Sequence, residues 1–175
     1  MNSNQVFKTI FHSPIGEILI QANTIGLLSI NFLDDVINDD LTSNEITEKC
    51  KLQLEEYFTG SRKNFDLPFL FNGTEFQNKV WKKLQEIPFG ETISYLSFSE
   101  MIGNKLQIRA VANANSKNPF SIVIPCHRVI GKDGNLVGYA GGLWRKKWLI
   151  DFEKSISGNT FNLELFSEYD HSKRN

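Results

Sequence analysis

Apolar residues change their spacing once along this chain, and that change restricts the folds open to it. Residues 6–11, 17–21 and 26–32 are short β-branched and aromatic runs, broken by Pro14, Gly16 and Asn23. Such runs predict an antiparallel meander. Beyond a polar loop over 34–44, the apolar residues recur at helical spacing. Ile46, Cys50, Leu54, Tyr57 and Phe58 share one face of a helix predicted over 45–58, stopped by Gly60. Thr42 and Glu45 have capping-box spacing at its start. A second helix opens with Thr74 and Gln77, again at that spacing. It carries Phe76, Val80, Leu84 and Ile87 on one face and ends at Pro88-Phe89-Gly90. The chain reads as a small sheet followed by helices, the α+β class.

The linker-like stretch 64–72 and the turn signal Asn72-Gly73 place a boundary between residues 1–72 and 73–157, with 158–175 as a tail. Charge divides at the same point. Residues 1–72 hold 5 Lys/Arg against 10 Asp/Glu, whereas 73–157 hold 12 against 7. A polyanionic partner would therefore meet the second half, although an asymmetry of this size also occurs with no partner at all. No apolar run reaches the roughly 18 residues of a membrane span, and the N-terminus lacks a signal-peptide pattern. The two cysteines, Cys50 and Cys126, lie far apart, which argues against a disulfide framework and for a reducing, cytoplasmic setting. Cys50 belongs to the apolar stripe of its helix and reads as a structural thiol.

Ser94 is placed to cap a short helix over 95–102, which Gly103-Asn104 would stop. A further helix over 106–116 carries Ala110, Val111, Ala112 and Ala114. Two short helices around a Gly-containing turn make a helix-turn-helix or an ordinary helical corner, and pattern does not choose between them. Residues 121–124 read as a buried strand ending at Pro125. Asp133-Gly134 marks a turn, residues 138–142 a Gly-rich loop, and 144–153 a final helix.

Cys126 is flanked by Pro125, His127 and Arg128. A thiol with a pKa of about 8.5 is mostly protonated at neutral pH, and only the thiolate attacks. An adjacent imidazole can take the proton, and a carboxylate behind it, for which Glu153 is the candidate, can hold the imidazole in the right tautomer. A core thiol at a strand end fits the same residues equally well. Half of a metal site is a third reading, but Cys50, His12 and His171 offer no ligand spacing. A cysteine hydrolase acting on small esters is a fourth.

Residues 73–153 resemble the O6-alkylguanine-DNA alkyltransferases through several motifs in order. These are Gly90-Glu91-Thr92-Ile93-Ser94-Tyr95, Arg109-Ala110-Val111 with Ala114, and Asn118-Pro119. The remainder are Ile124-Pro125-Cys126-His127-Arg128-Val129, Gly138-Tyr139-Ala140-Gly141-Gly142, Lys146, and residues 149–153. Residues 1–72 resemble the family more weakly, through Ser13-Pro14-Ile15-Gly16 and Tyr57-Phe58-Thr59-Gly60.

The resemblance implies a small ribonuclease-H-like domain with an antiparallel sheet, then a mostly helical domain of winged helix-turn-helix type. It implies irreversible, single-turnover transfer of an alkyl group from guanine O6, and by extension thymine O4, to Cys126. The partner would be double-stranded DNA, met through the minor groove by a monomer, with no cofactor. Arg109 would enter the base stack in place of the flipped nucleotide. Tyr95 would donate to guanine N3 with help from Lys146, and backbone N–H groups near Tyr139 and Ala140 would hold O6. Asn118 would bridge hinge and turn. His127, backed by Glu153, would deprotonate Cys126 through a water. Arg128 belongs to the signature, and Ser121 stands beside the pocket.

Some members carry proline where Ser121 stands and serine where Ala140 stands, which implies a wall poorly suited to bulky O6-benzylguanine. The cysteines of the vertebrate zinc site are missing, so no metal is expected. Asn115 and Ser116 are polar where some members place an apolar and a basic residue, which implies modest, salt-sensitive DNA affinity. Alkyltransferase-like proteins share the scaffold and bind alkylated guanine without transfer, but they lack the reactive cysteine that Cys126 supplies.

Overall fold

The computed structural model describes residues 5–34 and 41–158. Strands β1 (Phe7–Ser13), β2 (Gly16–Ala22) and β3 (Leu27–Phe32) form the antiparallel meander read from the sequence, in the order β1-β2-β3. Ser13 and Gly16 face each other across the first turn, where Ser13 Oγ donates to the Gly16 carbonyl at 2.6 Å. Gly16 takes a φ of 111°, a region that a side chain would strain. Ile18, Ile20 and Ala22 alternate inward along β2, as a half-buried strand requires.

Helix α1 (Glu45–Phe58) lies against β1 and β2 and buries Cys50, Leu54, Tyr57 and Phe58. Its cap is not Thr42 with Glu45. Asn44 accepts from the Thr47 N–H at 3.0 Å, and Thr47 Oγ1 accepts from the Asn44 N–H at 3.0 Å. Asn44 also donates from Nδ2 to the Asn23 carbonyl at 2.9 Å, which ties the helix start to the β2–β3 turn. A threonine hydroxyl two residues earlier could not make both contacts. Of the loop read over 34–44, residues 35–40 lie outside the described residues, as does the tail from 159 onward.

Helix α2 (Glu75–Leu84) has the predicted Thr74–Gln77 capping box. Trp81 donates from Nε1 to the Ala114 carbonyl at 2.8 Å and so fastens α2 to the later helices. The short strand β4 (Ile93–Ser94) pairs in parallel with β5 (Val129–Ile130). Ser94 caps α3 (Tyr95–Ile102), which stops at Gly103 with a φ of 113°. A 3-10 turn, Lys105–Gln107, follows, in which Asn104 accepts from the Leu106 N–H at 2.9 Å. That local bond delays helix α4 (Ile108–Ser116) by two residues relative to the sequence reading. Residues 121–124 are buried but are not a strand. They form successive tight turns with Ile122 at a φ of 70°, because the segment pairs with β3 only at the bridge Ile30↔Phe120. Helix α5 (Leu143–Ser157) closes the fold.

Trp148 and Phe152 of α5 pack on Tyr57 and Phe58 of α1, with ring centroids 5.6–6.2 Å apart, so one aromatic core joins the sheet side to the helical side. Phe69, Phe71 and Phe120 continue it. No helix among the described residues is long and apolar enough to cross a membrane.

The cap assignment makes a stability prediction. Asn44→Ala should cost about 1 kcal/mol, read as a shift in the denaturation midpoint, while Thr42→Ala should leave it unchanged. Equal losses would contradict this assignment.

Candidate active site

Cys126 opens a 3-10 turn, Cys126–Arg128, directly after Pro125. Its N–H donates to the Ile124 carbonyl at 2.8 Å, and Val123 donates likewise to Ser121 at 2.8 Å. These tight turns are held by Asn118. Its Nδ2 donates to the carbonyls of Ile124 (2.8 Å) and Phe120 (3.3 Å), and its Oδ1 accepts from the Phe120 N–H at 3.0 Å. A β-branched residue at positive φ, here Ile122, is costly, and such strain persists only where the surroundings over-determine the backbone. The sheet contributes to that. Ser121 donates its N–H to Ile30, and Ile30 donates to Pro119, both at 2.8 Å.

The sulfur faces a narrow cleft lined by Asn115, Ser116, Asn118, Ser121, Tyr139 and Ala140, with Gly138 at its edge. The first turn of α5 holds the Gly-rich wall from below. Lys146 Nζ donates to the carbonyls of Val137 (2.8 Å) and Gly138 (3.4 Å), and Arg145 donates to Gly141 at 2.9 Å. Arg145 also reaches the Ile15 carbonyl at 2.8 Å and Asp34 at 3.0 Å, linking that wall to the sheet. The backbone N–H groups of Tyr139 and Ala140 donate to no acceptor among the described residues.

Behind the sulfur lies a fully buried ionic cluster. His127 Nε2 lies 2.8 Å from Glu153 Oε1. Arg128 donates to both carboxylate oxygens, from Nε at 2.9 Å and Nη2 at 3.0 Å, and from Nη1 to the Ile87 carbonyl at 2.6 Å. Tyr57 Oη donates to Oε1 at 2.8 Å and the Gly90 N–H to Oε2 at 3.0 Å. A carboxylate only accepts, so His127 must carry its proton on Nε2, leaving Nδ1 as an acceptor with no partner among the described residues. Gly90 holds a φ of 82°, and a Cβ there would meet Ser157 Oγ, so the donor comes from a position open only to glycine.

Electrostatics sets the resting protonation. Burial pushes the Cys126 thiol up, against the opposing pull of Asn118 and Lys146, so it rests protonated. Burial lowers His127, partly countered by Glu153, so the imidazole rests neutral and able to accept. Burial alone would raise Glu153, but the charges and hydrogen bonds of His127 and Arg128 outweigh it and hold the carboxyl at about 2. Burial lowers Lys146 to about 8, with Cys126 acting in the opposite sense. Cys50, by contrast, is pushed by burial to about 12 and is inert, as its place in the helix stripe predicted.

The structure brings Cys126, His127, Arg128, Glu153, Asn118, Ser121, Tyr139, Ala140, Lys146 and Tyr95 to one region. Tyr95 Oη accepts from Asn115 Nδ2 at 3.0 Å, and Lys146 Nζ sits 5.9 Å from the Tyr95 ring centre, over its face and not on its hydroxyl. Arg109 stands apart from this cluster, exposed on α4 with Ala110 and Asn113. Asn115 does not face outward, as a DNA-contacting residue would. It is buried with Val111 and Ala114 on the inward stripe of α4, leaving Ser116 as the exposed polar residue of the pair.

Sequence reasoning missed Tyr57, Gly90 and Asn115. A buried tyrosine needs a partner for its hydroxyl, which was the available signal for Tyr57; nothing in the sequence marks which backbone N–H points at Glu153.

The cluster predicts an acid-dependent stability. A carboxylate lowered from 4.5 to about 2 contributes stability that is fully present above about pH 4.5 and is lost as pH falls through 2. The contribution is about 3 kcal/mol. At pH 7 Glu153→Gln should therefore destabilise the fold by about 3–5 kcal/mol, and the gap from wild type should close as pH drops. A gap independent of pH between 7 and 2.5 would contradict the assignment.

Residues 75–155 match the family model for the 6-O-methylguanine DNA methyltransferase DNA-binding domain. Residues 6–71 match the model for the ribonuclease-like domain of the same family. A methylated-DNA–protein-cysteine methyltransferase of Methanosarcina acetivorans is 43% identical over 155 residues, covering 86% of this chain and 99% of that protein. One of Mycobacterium bovis is 50% identical over 153 residues, covering 85% and 92%. Among solved structures, Mycobacterium tuberculosis OGT in complex with DNA superposes with a TM-score of 0.77 at 38% identity, covering 86% of this chain and 93% of that one. With both family models matched in order and together spanning nearly all the described residues, the chain belongs to the 6-O-methylguanine DNA methyltransferase family.

Proposed function

We propose that this chain repairs DNA by moving an alkyl group from O6 of guanine onto Cys126, once per molecule. The observation that carries the reading is the neutral Cys126 beside a neutral His127 whose far nitrogen is already bound to an ionised, fully buried Glu153. Proton loss from sulfur to His127 Nδ1, relayed by one water, would create an imidazolium that the Glu153 carboxylate stabilises. The thiolate then attacks the alkyl carbon in line. An S–C bond forms, the C–O6 bond breaks, and its electron pair leaves on the base. Tyr95 donates its proton to N3, so that neutral guanine departs, and the Tyr139 and Ala140 N–H groups hold O6 as charge develops there. Lys146 holds the Gly-rich wall and keeps a positive charge against the Tyr95 ring. No group in the cleft can hydrolyse a thioether, so the thiol is not recovered.

The nucleobase must leave the duplex to reach Cys126, which is only 6% exposed. Helix α4 is suited to that. Arg109, Asn113 and Ser116 lie along one exposed stripe at helical spacing, beside Ala110, and Ser116 also lines the cleft. Small side chains permit close approach in a minor groove, and in this reading Arg109, exposed at the helix start, fills the stack. We propose a monomer acting on double-stranded DNA, since one chain carries every group named. In this reading residues 73–157 hold the reacting groups and 1–72 support them through Tyr57, Ile15 and Ile30. O4-alkylthymine, offering a similar ring oxygen, is a second substrate. The two unpaired, buried thiols suit a reducing cytoplasm.

Incubation with an O6-methylguanine duplex should add one methylene of mass to the Cys126 peptide, in equimolar amount and without repetition. Cys126→Ser should take up nothing while still binding the duplex; demethylation by that variant, or repeated turnover, would defeat the proposal. Arg109→Ala should slow transfer from duplex by about 100-fold, equivalent to a few kcal/mol of lost flipping energy, and spare transfer from the free base. Equal effects on both substrates would show that Arg109 has no part in extrusion.

A further inference from the structure

We infer that Asn115 is a positioning residue that fixes the direction of the Tyr95 proton, making the Tyr95 hydroxyl a donor into the Cys126 cleft. This rests on the repair reading, in which Tyr95 is the group that donates to the base. Asn115 is 2% exposed and lines the cleft. Its Nδ2 lies 3.0 Å from Tyr95 Oη and 3.4 Å from the Cys126 carbonyl, and its Oδ1 is buried with no partner among the described residues.

The carbonyl decides which way the amide faces. Cys126 O can only accept, and turning the amide over would set two acceptor oxygens against each other. Nδ2 therefore faces the carbonyl, and its second hydrogen goes to Tyr95 Oη. That bond occupies a lone pair of the hydroxyl. Tyr95 accepts from the protein, and no protein acceptor takes its own proton among the described residues, so the O–H is left to the occupant of the cleft. The same amide touches the carbonyl of the reacting residue, so the donor and the nucleophile are referenced to one side chain. Leaving Oδ1 buried and unpaired works against stability, the kind of exception found where function sets the arrangement. Burial raises Tyr95, and the Asn115 bond partly offsets this by favouring the form that has given up its proton.

The test is single-turnover transfer from an O6-methylguanine duplex by wild type, Asn115→Leu, Asn115→Asp, Tyr95→Phe and the Asn115→Leu/Tyr95→Phe double variant. Tyr95 ionisation is followed in parallel by carbon NMR of its ring. Asn115→Leu should slow transfer about 10-fold, the equivalent of one lost hydrogen bond, with DNA affinity within about twofold of wild type. In the Tyr95→Phe background the same change should have almost no effect, and Asn115→Asp, whose oxygens would take the Tyr95 proton, should be at least as slow as Asn115→Leu. The Tyr95 titration should move up in Asn115→Leu, a readout that needs no transfer. An equal slowing with and without Tyr95, a wild-type rate in both Asn115 variants, or an unmoved Tyr95 titration would each overturn the inference. Should Asn115→Leu fail to fold, Asn115→Asp and its Tyr95→Phe double variant decide the same question. Wild type that gains no methylene on Cys126 would instead bring down the repair reading, while the titration still judges the Asn115–Tyr95 geometry.

Discussion

A single buried carboxylate organises this molecule. Glu153 accepts five hydrogen bonds, from Tyr57, the Gly90 backbone, His127 and two from Arg128. Its donors come from α1, from the end of the α2 connection, and from the turn that carries Cys126. An ionised group at 1% exposure survives only if every oxygen is paired, because the desolvation cost of a bare charge is several kcal/mol. The pairing therefore locks three separate pieces of chain to α5. It also fixes the tautomer of His127, so the interaction that holds the fold together prepares the chemistry.

The reacting segment is held less regularly. Residues between Asn118 and Cys126 turn three times, with Ile122 at positive φ, and the Asn118 side chain supplies hydrogen bonds that a strand partner would have made. The sheet meets this segment at Ile30 and Ser121, and it meets the opposite wall of the cleft through Arg145, which sits 4.5 Å from the Phe32 ring centre and bonds Ile15 and Gly141. Both walls of the cleft are thus referenced to the small sheet, although no sheet residue lines it.

Periodic segments were legible in the sequence, and local hydrogen-bond choices were not. The three strands, both stripes of apolar residues and the Thr74 cap follow from spacing and turn residues alone. Asn44 replaced Thr42 as the cap through its box with Thr47, and its further contact to Asn23, some 21 positions away, is one that no local pattern reports. The run Ser121-Ile122-Val123-Ile124 has the composition of a buried strand, and only the tertiary pairing at Ile30 and the Asn118 amide convert it into turns. For the site, adjacency made Cys126 and His127 visible, the need for a carboxylate behind the imidazole pointed to Glu153, and resemblance supplied Tyr95 and Lys146. Tyr57 was placed correctly in the core, but its hydroxyl's errand to Glu153 depends on the packing of α1 on α5. Asn115, noted from the sequence only as a polar residue bearing on DNA affinity, is inward because Val111 and Ala114 set the buried stripe of α4.

Activation of Cys126 depends most on the protonation state of one ring. Nitrogen NMR of His127 in the resting protein at neutral pH reads it directly. A neutral imidazole protonated on Nε2, with Nδ1 bare, is the predicted state. A ring protonated on Nδ1, or an imidazolium at that pH, would contradict the claim that Glu153 holds His127 ready to take a proton from Cys126.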